Sequence, residues 1–470
     1  MNQPLTSALG GDSNALLLEL PPETDPAQHL SSATLALRQQ LRESLGLPAH
    51  FLSGAGHQPV LWHAGILAKF ITASRLASAR RAASTQGASN WVHFLSDQDA
   101  SDPFRMDVPL RDATGSIRRA SIRLVVEGAL LARDGVAAAR PAQGARLVDF
   151  RDFASERAVD ACTRVLAALG RSGGAAHAGI QLAQVMHECA SRWLPAPCAT
   201  LSSHALITCA GAGAILERIV REPVESAQAF NAALRADPRA AKPLHIAGES
   251  SEVPLWGVRS DGRRERIGAL EARRRIDQGR LVLPRAFLAS GLMRVICNTF
   301  VHGTGGARYE RVGEAWWREF LGIELPPFAT ASATLVPELA ALGLARETPV
   351  ETSLAYRRAW WDPTQLDRPR EPHRILEPVR AALLERIAEA PRKSALRRDA
   401  YRALSEHIAA LRSTRRDELE LLRASESHQQ VARTQSALAH DRTWPFVLVP
   451  ESAIDALAAA IADRLSARGH

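Results

Sequence analysis

An α/β fold is the architecture this chain predicts: a parallel-sheet core, a helical insert and a C-terminal antiparallel helical hairpin. Three observations carry it. Residues 50–69 read as a short apolar run, a glycine turn and a long Ala/Leu-rich helix, the first half of a mononucleotide-binding βαβ unit. Residues 293–310 repeat that pattern, an apolar run followed by glycines and a helix start. From 374 to 437 the sequence is charged and helical, with Leu404, Ile408, Leu411, Leu419 and Leu422 approximating a heptad stripe.

Taken in order, residues 14–20 are apolar and suit an edge strand or an arm. Residues 31–46 have helical spacing, with Ser31 or Ser32 as N-cap and Gly46 as stop. The helix of the first glycine segment is expected from about Val60 to Arg81. WVHFLS at 91–96 reads as a buried strand that discharges into Asp97, Asp99 and Asp102. Residues 117–126 suggest another strand, and 151–235 a mostly helical insert. Asp261-Gly262 between two alternating runs signals a hairpin within 243–283. MRVICNTFV at 293–301 reads as a third buried strand, followed by a helix through Trp316 and Trp317 to Gly322, and then a strand in PPFATASATL. The long helical stretch divides at Pro391 into two helices, and WPFVLVP and a short helix from about Ala453 to Leu465 return to the core. The expected organisation is therefore 1–150, first half of the core; 151–242, helical insert; 243–370, hairpin segment and second half of the core; 371–437, coiled-coil-like hairpin; and 438–470, returning strand and helix.

The length of 470 residues allows two or three domains, and 46% hydrophobic with 23% charged residues is an ordinary globular balance. Lys plus Arg exceeds Asp plus Glu by 58 to 50, nearly all of it scattered arginine, without basic blocks interleaved with aromatics. Nucleic-acid binding has little support from this pattern; an anionic small molecule suits it. Five cysteines without a C-x-x-C pair argue against a disulfide framework or a structural zinc. The N-terminus lacks a basic region leading into an apolar run, and no stretch is long and apolar enough to span a membrane, so a cytoplasmic protein is expected.

Chemistry is expected at the two glycine segments. In the first, Gly56, Gln58 and Gly65 accompany His57 and His63, and Lys69 follows within the helix. A helix N-terminus offers free N–H groups to an anion, and the two imidazoles and the amine can carry protons there. In the second, Gly303, Gly305 and Gly306 let backbone N–H groups turn toward a ligand, with His302, Arg308 and Tyr309 as further donors. Asp97 and Asp99 stand at a strand's carboxyl end, where α/β proteins bind ligands, suited to hold an amine or Mg²⁺. The plain alternatives are a helix start with packed histidines and a solvated polar loop in which Asp102 caps a turn. Neither a Walker loop nor G-x-G-x-x-G is present, and His187-Glu188 lacks the second histidine of a zincin.

Three segments together resemble the bacillithiol biosynthesis cysteine-adding enzymes, a family of cysteine ligases. The T-G-Q-Q-x-x-L-x-x-G-P segment of that family is similar to Gly56–Gly65 here. Its strand with an E-D-H-D-type cluster is similar to WVHFLSDQD, and its V-x-G-P-x-E-x-x-Y segment to Val301–Tyr309. The resemblance implies a Rossmann-like core related to class I aminoacyl-tRNA synthetases and nucleotidyltransferases, a coiled-coil dimerisation element at 371–437, and joining of cysteine to a glucosaminyl-malate. His57 and His63 also look like the H-x-G-H signature of those relatives, with a longer gap. Such histidines stabilise phosphate charge. This chain departs from the family where His57 replaces the first glutamine, where the acidic cluster reads S-D-Q-D, and where Thr304-Gly305 and Arg308 stand at proline and acidic positions. These exchanges point to another amino or carboxyl substrate.

The leading expectation is thus a carbon–nitrogen ligase with His57, His63, Asp97 and Asp99 catalytic and the remaining loop residues binding an anion. ATP and Mg²⁺ are open, no resident metal is assigned, and a homodimer through the hairpin is expected. A metal-dependent hydrolase or transferase using His57, His63, Asp97, Asp99 and His302, and a non-catalytic dimeric binding protein, are the alternatives.

Overall fold

The computed structural model describes residues 6–8, 14–21, 30–83, 90–98, 102–113, 116–125, 141–142, 148–337, 355–367 and 377–468. They form two units: one of residues 1–111, 119–338 and 441–470, the other of residues 112–118 and 339–440.

The first unit opens with β1 (Thr6–Ala8), β2 (Ala15–Glu19) and α1 (Ser32–Ser44). Ser31 caps α1 by accepting the Thr34 N–H at 3.2 Å, and Gly46, at φ 63°, takes the left-handed conformation past its end. Then come β3 (Leu52–His57), α2 (Ala64–Ala83), β4 (Asn90–Leu95), β5 (Arg105–Arg111) and β6 (Ile117–Arg123). Helices α3 (Glu156–Arg171) and α4 (Ala178–Ala190) precede β7 (Cys198–Ser202). Next are α5 (Ser203–Thr208), α6 (Gly213–Arg221), α7 (Pro223–Leu234), β8 (Glu252–Val258), β9 (Arg264–Gly268), α8 (Ala269–Asp277) and β10 (Val282–Pro284). The unit continues through α9 (Ala286–Ile296), β11 (Thr299–His302), α10 (Ala307–Trp316) and β12 (Phe328–Thr334).

The main sheet has seven strands in the order β1-β2-β12-β11-β3-β4-β7. The five from β12 to β7 are mutually parallel, and β1 and β2 add an antiparallel edge. Counted along the chain, the parallel strands β3, β4, β7, β11 and β12 lie in the spatial order 3-2-1-4-5. The chain therefore builds outward on one side of β3, then returns to build on the other, so the strand order reverses between β3 and β11. Smaller sheets, β10-β8-β9 and β5-β6, complete the unit. Gly262, at φ 80°, makes the turn of the β8–β9 hairpin, as Asp261-Gly262 predicts.

Helix α2 lies on one sheet face and is buried almost all round, because it touches β12, β11, β3 and β4 on one side and α15 (Glu451–Ser466) on the other. On the opposite face, α1 and α9 pack over Val92, Phe94 and Phe300. Arg38 and Arg42 of α1 are buried and donate to carbonyls at the end of α9: Nε of Arg38 to Val295 at 2.7 Å and Nε of Arg42 to Ile296 at 2.8 Å. Cations on the last carbonyls of a helix satisfy acceptors that have no intrahelical partner, and here they fix where β11 begins.

Four expectations are corrected. The glycines after Leu52 are not a turn; they are in β3, and α2 starts at Ala64 rather than near Val60. A Cβ on Gly54 would meet Cys297 Sγ at 2.5 Å and one on Gly56 would meet Phe94 at 2.9 Å, so these glycines admit close neighbours within a sheet. The apolar run 293–301 divides: its first half ends α9 and only Thr299–His302 is strand. The helical insert contains β7, which pairs with β4 and extends the main sheet.

The fourth correction concerns the second unit. In place of two helices it holds three along the predicted hairpin, α12 (Pro378–Glu389), α13 (Ala395–Thr414) and α14 (Arg416–Ala439), preceded by α11 (Ala355–Trp361). The break at Pro391 is where expected, with Lys393 at φ 64°; the second, at Arg415, is not signalled by Gly or Pro. Ile408 and Leu419 of the heptad stripe are buried within this unit, while Leu396, Tyr401 and Leu421 are exposed. Among the described residues no helix is long and apolar enough to cross a membrane.

Candidate functional site

The carboxyl ends of β3 and β11, on either side of the point where the strand order reverses, open into a cleft of about 350 Å³. Ligands of open α/β sheets sit in this crevice, because the chains leaving two neighbouring strands depart toward opposite faces. From β3 and its loop the lining includes Gly56, His57, Gln58 and His63; from α2, Gly65 and Lys69; from β11 and its loop, His302, Gly303, Thr304, Gly305, Gly306 and Tyr309. Both predicted glycine segments therefore border one cavity.

His63 does two things. Its Nδ1 accepts the backbone N–H of Gly65 at 3.0 Å, capping α2, and its ring borders the cleft. Burial holds the ring near a pKa of about 4, helped by the charges of Arg442 and Lys69. Gly65 must lack a side chain: a Cβ would stand 2.9 Å from the His63 ring and 3.0 Å from Ser332. His57 is half-buried and its ring lies 3.1 Å from the Gln58 carbonyl. Desolvation, then Lys69, push its pKa well below the ordinary value.

Lys69 forms the floor. It is buried, and its ammonium or amine donates to the Gly56 carbonyl at 2.7 Å. A Cβ on Gly303 would rest 3.4 Å from its Cδ, so this one side chain touches both loops. Burial lowers its pKa to about 7.

On the β11 side, His302 Nε2 lies 2.9 Å from Glu310, whose other oxygen pairs with buried Arg294 at 2.6 Å. Burial alone would raise the Glu310 carboxyl. The His302 hydrogen bond and charge, Arg294 and Ser290 outweigh it and hold the group at about 2. Gly306 is required by this arrangement, since a Cβ there would sit 2.6 Å from His302 Nδ1. The Gly306 N–H donates to the Gly303 carbonyl at 3.1 Å, turning the loop into α10. Tyr309 is exposed on the cleft's lining; Arg308 is the second residue of α10, and its side chain lies outside the described residues.

Asp97 does not line this cleft. It is fully buried, its Oδ1 accepts the Ser203 N–H at the start of α5 at 2.9 Å, and its Oδ2 lies 4.0 Å from His177. Burial raises its pKa, against the Ser203 hydrogen bonds and the His177 charge. Asp97, expected to be catalytic, stands off the cleft lining, where it anchors β7 and α5 to the end of β4. Asp99 lies outside the described residues. Asp102 accepts the Phe104 N–H at 3.1 Å, the turn-capping alternative. Ser96 and Gln98 of the same loop do border the cleft. His93 is buried behind it, its Nδ1 2.9 Å from His187 Nε2 in a stacked imidazole pair. Among the described residues no three His, Cys, Asp or Glu side chains are grouped to hold a metal, so the His57, His63, Asp97, His302 set does not form a centre.

Residues not anticipated also contribute. Arg442 reaches the cleft from the segment entering α15 and donates to Ser332 of β12 at 3.1 Å. Its neighbours fix it: Asp441 pairs with Arg119, Trp444 is stacked on Arg119 at 4.9 Å, and Pro445 bridges to His63. The tryptophan and proline following Arg442 in the sequence signal an anchored segment, though not its destination. Glu310 and Ser290 were equally silent, because helical spacing places both on faces that a core could bury.

Among the described residues the site combines a guanidinium, a titratable amine and three imidazoles with glycine-bordered backbone, beside a single carboxylate that is already paired. Such a set stabilises negative charge and moves protons. In comparison with known proteins, the chain matches no family model, and no curated protein matches it significantly.

Proposed function

We propose that the cleft binds a phosphate- or carboxylate-bearing small molecule, and that the chain is a carbon–nitrogen ligase of the kind that the cysteine-adding enzymes of bacillithiol biosynthesis represent. The observation that carries this reading is the convergence of His57, His63, Lys69, His302 and Arg442 on one crevice where the parallel strand order reverses. The same order, 3-2-1-4-5, supports a Rossmann-like core.

In this reading an amine attacks an activated carboxylate. Negative charge then grows on the carbonyl oxygen and on the departing group. Arg442 and the N–H groups of the β11 loop meet the charge, and His57, His63 or His302 supplies or removes the proton. Oriented donors in a partly desolvated site are worth about 10²- to 10³-fold each in rate. ATP would supply the activation when bound, and Arg442 and the cleft histidines are the residues that would hold its phosphates. The amine is expected to be cysteine or a related amino acid, and the acceptor a small anion. Free cysteines at all five positions support a reducing, cytoplasmic setting. Exposed Leu396, Tyr401 and Leu421 in the helical unit support a homodimer formed through it.

Incubation with cysteine, a carboxylate-bearing amino sugar and ATP with Mg²⁺, followed by mass spectrometry, tests the reaction. A condensation product that disappears in His57→Ala supports it. No product with any amino acid, in a protein that still binds anions, contradicts the ligase assignment and leaves a binding function.

A further inference from the structure

Where this chain needs a positive charge it uses arginine: of 58 basic residues only Lys69, Lys242 and Lys393 are lysines. Lys242 and Lys393 are exposed, whereas Lys69 is buried on the floor of the cleft. An arginine would serve an anion as well or better, since its fork pairs bidentately and never loses its charge. What lysine alone offers is a nitrogen that can become neutral and make a covalent bond.

The surroundings favour that. Nζ is held to the Gly56 carbonyl at 2.7 Å, and the stem passes beneath Gly303, so the amine is fixed between both loops. It shares the cleft lining with His57, His63, His302 and Arg442, with the His93 imidazole behind; the carboxylate of that lining, Glu310, is occupied by Arg294 and His302. The partner of Nζ is thus a neutral carbonyl rather than a carboxylate. A lysine desolvated in a partly apolar pocket is an arrangement that produces a nucleophilic amine. Burial bringing its pKa to about 7 agrees with this. Phe94 and Phe300 supply an apolar wall.

We propose that Lys69 is a nucleophile that captures a small anionic carbonyl compound, of the 2-oxo acid class, as an imine. The proposal goes beyond the ligase reading and shares with it only the anion site. The carboxylate is met by Arg442 and the glycine loop, and the carbonyl carbon faces Nζ. The nitrogen lone pair attacks that carbon, and the carbonyl oxygen takes up a proton to give a carbinolamine. Loss of this oxygen as water, with the remaining N–H proton, leaves the C=N bond. His57 and His302 border the same space and can pass the protons. Nothing is oxidised or reduced.

Glyoxylate with cyanoborohydride traps such an imine as carboxymethyl-lysine, and peptide mapping of the full-length protein reports all three lysines together. At pH 7 a group with a pKa near 7 is half neutral, while an ordinary lysine is neutral to roughly one part in 10³. Lys69 is therefore expected to react at least about tenfold faster than Lys242 and Lys393. Its rate should level off above about pH 8 while theirs keep rising. Sulfate should slow Lys69 alone. Reaction at Lys69 no faster than at the exposed pair overturns the proposal, as does an equal total adduct in Lys69→Arg. Sulfate binding without fast Lys69 labelling overturns the imine and leaves the anion site intact. Fast labelling that sulfate cannot slow supports the imine while removing the anion reading.

Discussion

Lys69 makes the stability of this protein depend on pH in a direction that can be worked out. Its pKa is about 7 in the folded protein against 10.5 as a free side chain. Between those values the unfolded chain binds more protons, so stability rises with pH across this window. Below pH 7 both states are charged and the full burial penalty applies. Lys69→Met is accordingly expected to stabilise the protein more at pH 6 than at pH 10, read as the denaturant midpoint at each pH. A gain that is the same at both would show that the amine is not desolvated. Glu310 has the opposite sign. Its carboxyl, at about 2 against 4.5, contributes stability that is present above 4.5 and lost as pH falls toward 2. Glu310→Gln leaves buried Arg294 with a missing partner and should cost about 3 kcal/mol at pH 7. A loss below about 1 kcal/mol would mean that Glu314 and the Pro326 carbonyl suffice for Arg294.

At the scale of elements, the β11 loop offers a direct contrast between two adjacent glycines. A Cβ on Gly305 meets nothing within 4 Å, whereas one on Gly306 meets the His302 ring at 2.6 Å. Gly305→Ala should therefore leave the melting temperature unchanged. Gly306→Ala should lower it, since displacing His302 breaks its bond to Glu310, and it should weaken anion binding as well. Equal behaviour of the two variants would show that the loop adapts freely. Much of this region was legible in the sequence. The glycines and histidines near 57 and 302 stand out because each is a poor choice for an ordinary strand or helix interior. What the residues could not reveal was which backbone conformation the glycines serve. Gly54 and Gly56 are extended in β3 to admit Phe94 and Cys297, a requirement set by residues distant in sequence. A continuous apolar run such as 293–301 carries no period that separates helix from strand. Asp97 looked catalytic because acidic residues at strand ends often are; its capping of α5 depends on β7, which the insert concealed.

For the whole molecule, the helical unit and the core can be tested apart. The heptad stripe turned out to serve that unit's own packing, with Ile408 and Leu419 buried inside it. The case for a dimer rests instead on Leu396, Tyr401 and Leu421, which remain exposed. Light scattering at micromolar concentration should give twice the mass of one chain, and Leu396→Glu with Leu421→Glu should give the monomer. A wild-type monomer would remove the dimer.

The anion site of the core is best tested by calorimetric titration with sulfate, which stays a dianion across the relevant pH. Burial holds His57, His63 and Lys69 below their ordinary pKa values, and the charge of Lys69 adds to it at both histidines. A bound dianion favours their protonated forms, so binding should take up protons and tighten as pH falls from 8 to 6. The affinity should drop by at least about tenfold in Arg442→Ala, one charge-assisted contact of roughly 1.5 to 3 kcal/mol. Tight, proton-linked binding in the wild type that Arg442→Ala weakens is the expected result. Absence of binding at pH 6, or binding without proton uptake and indifferent to Arg442, would contradict an anion site between the two glycine loops.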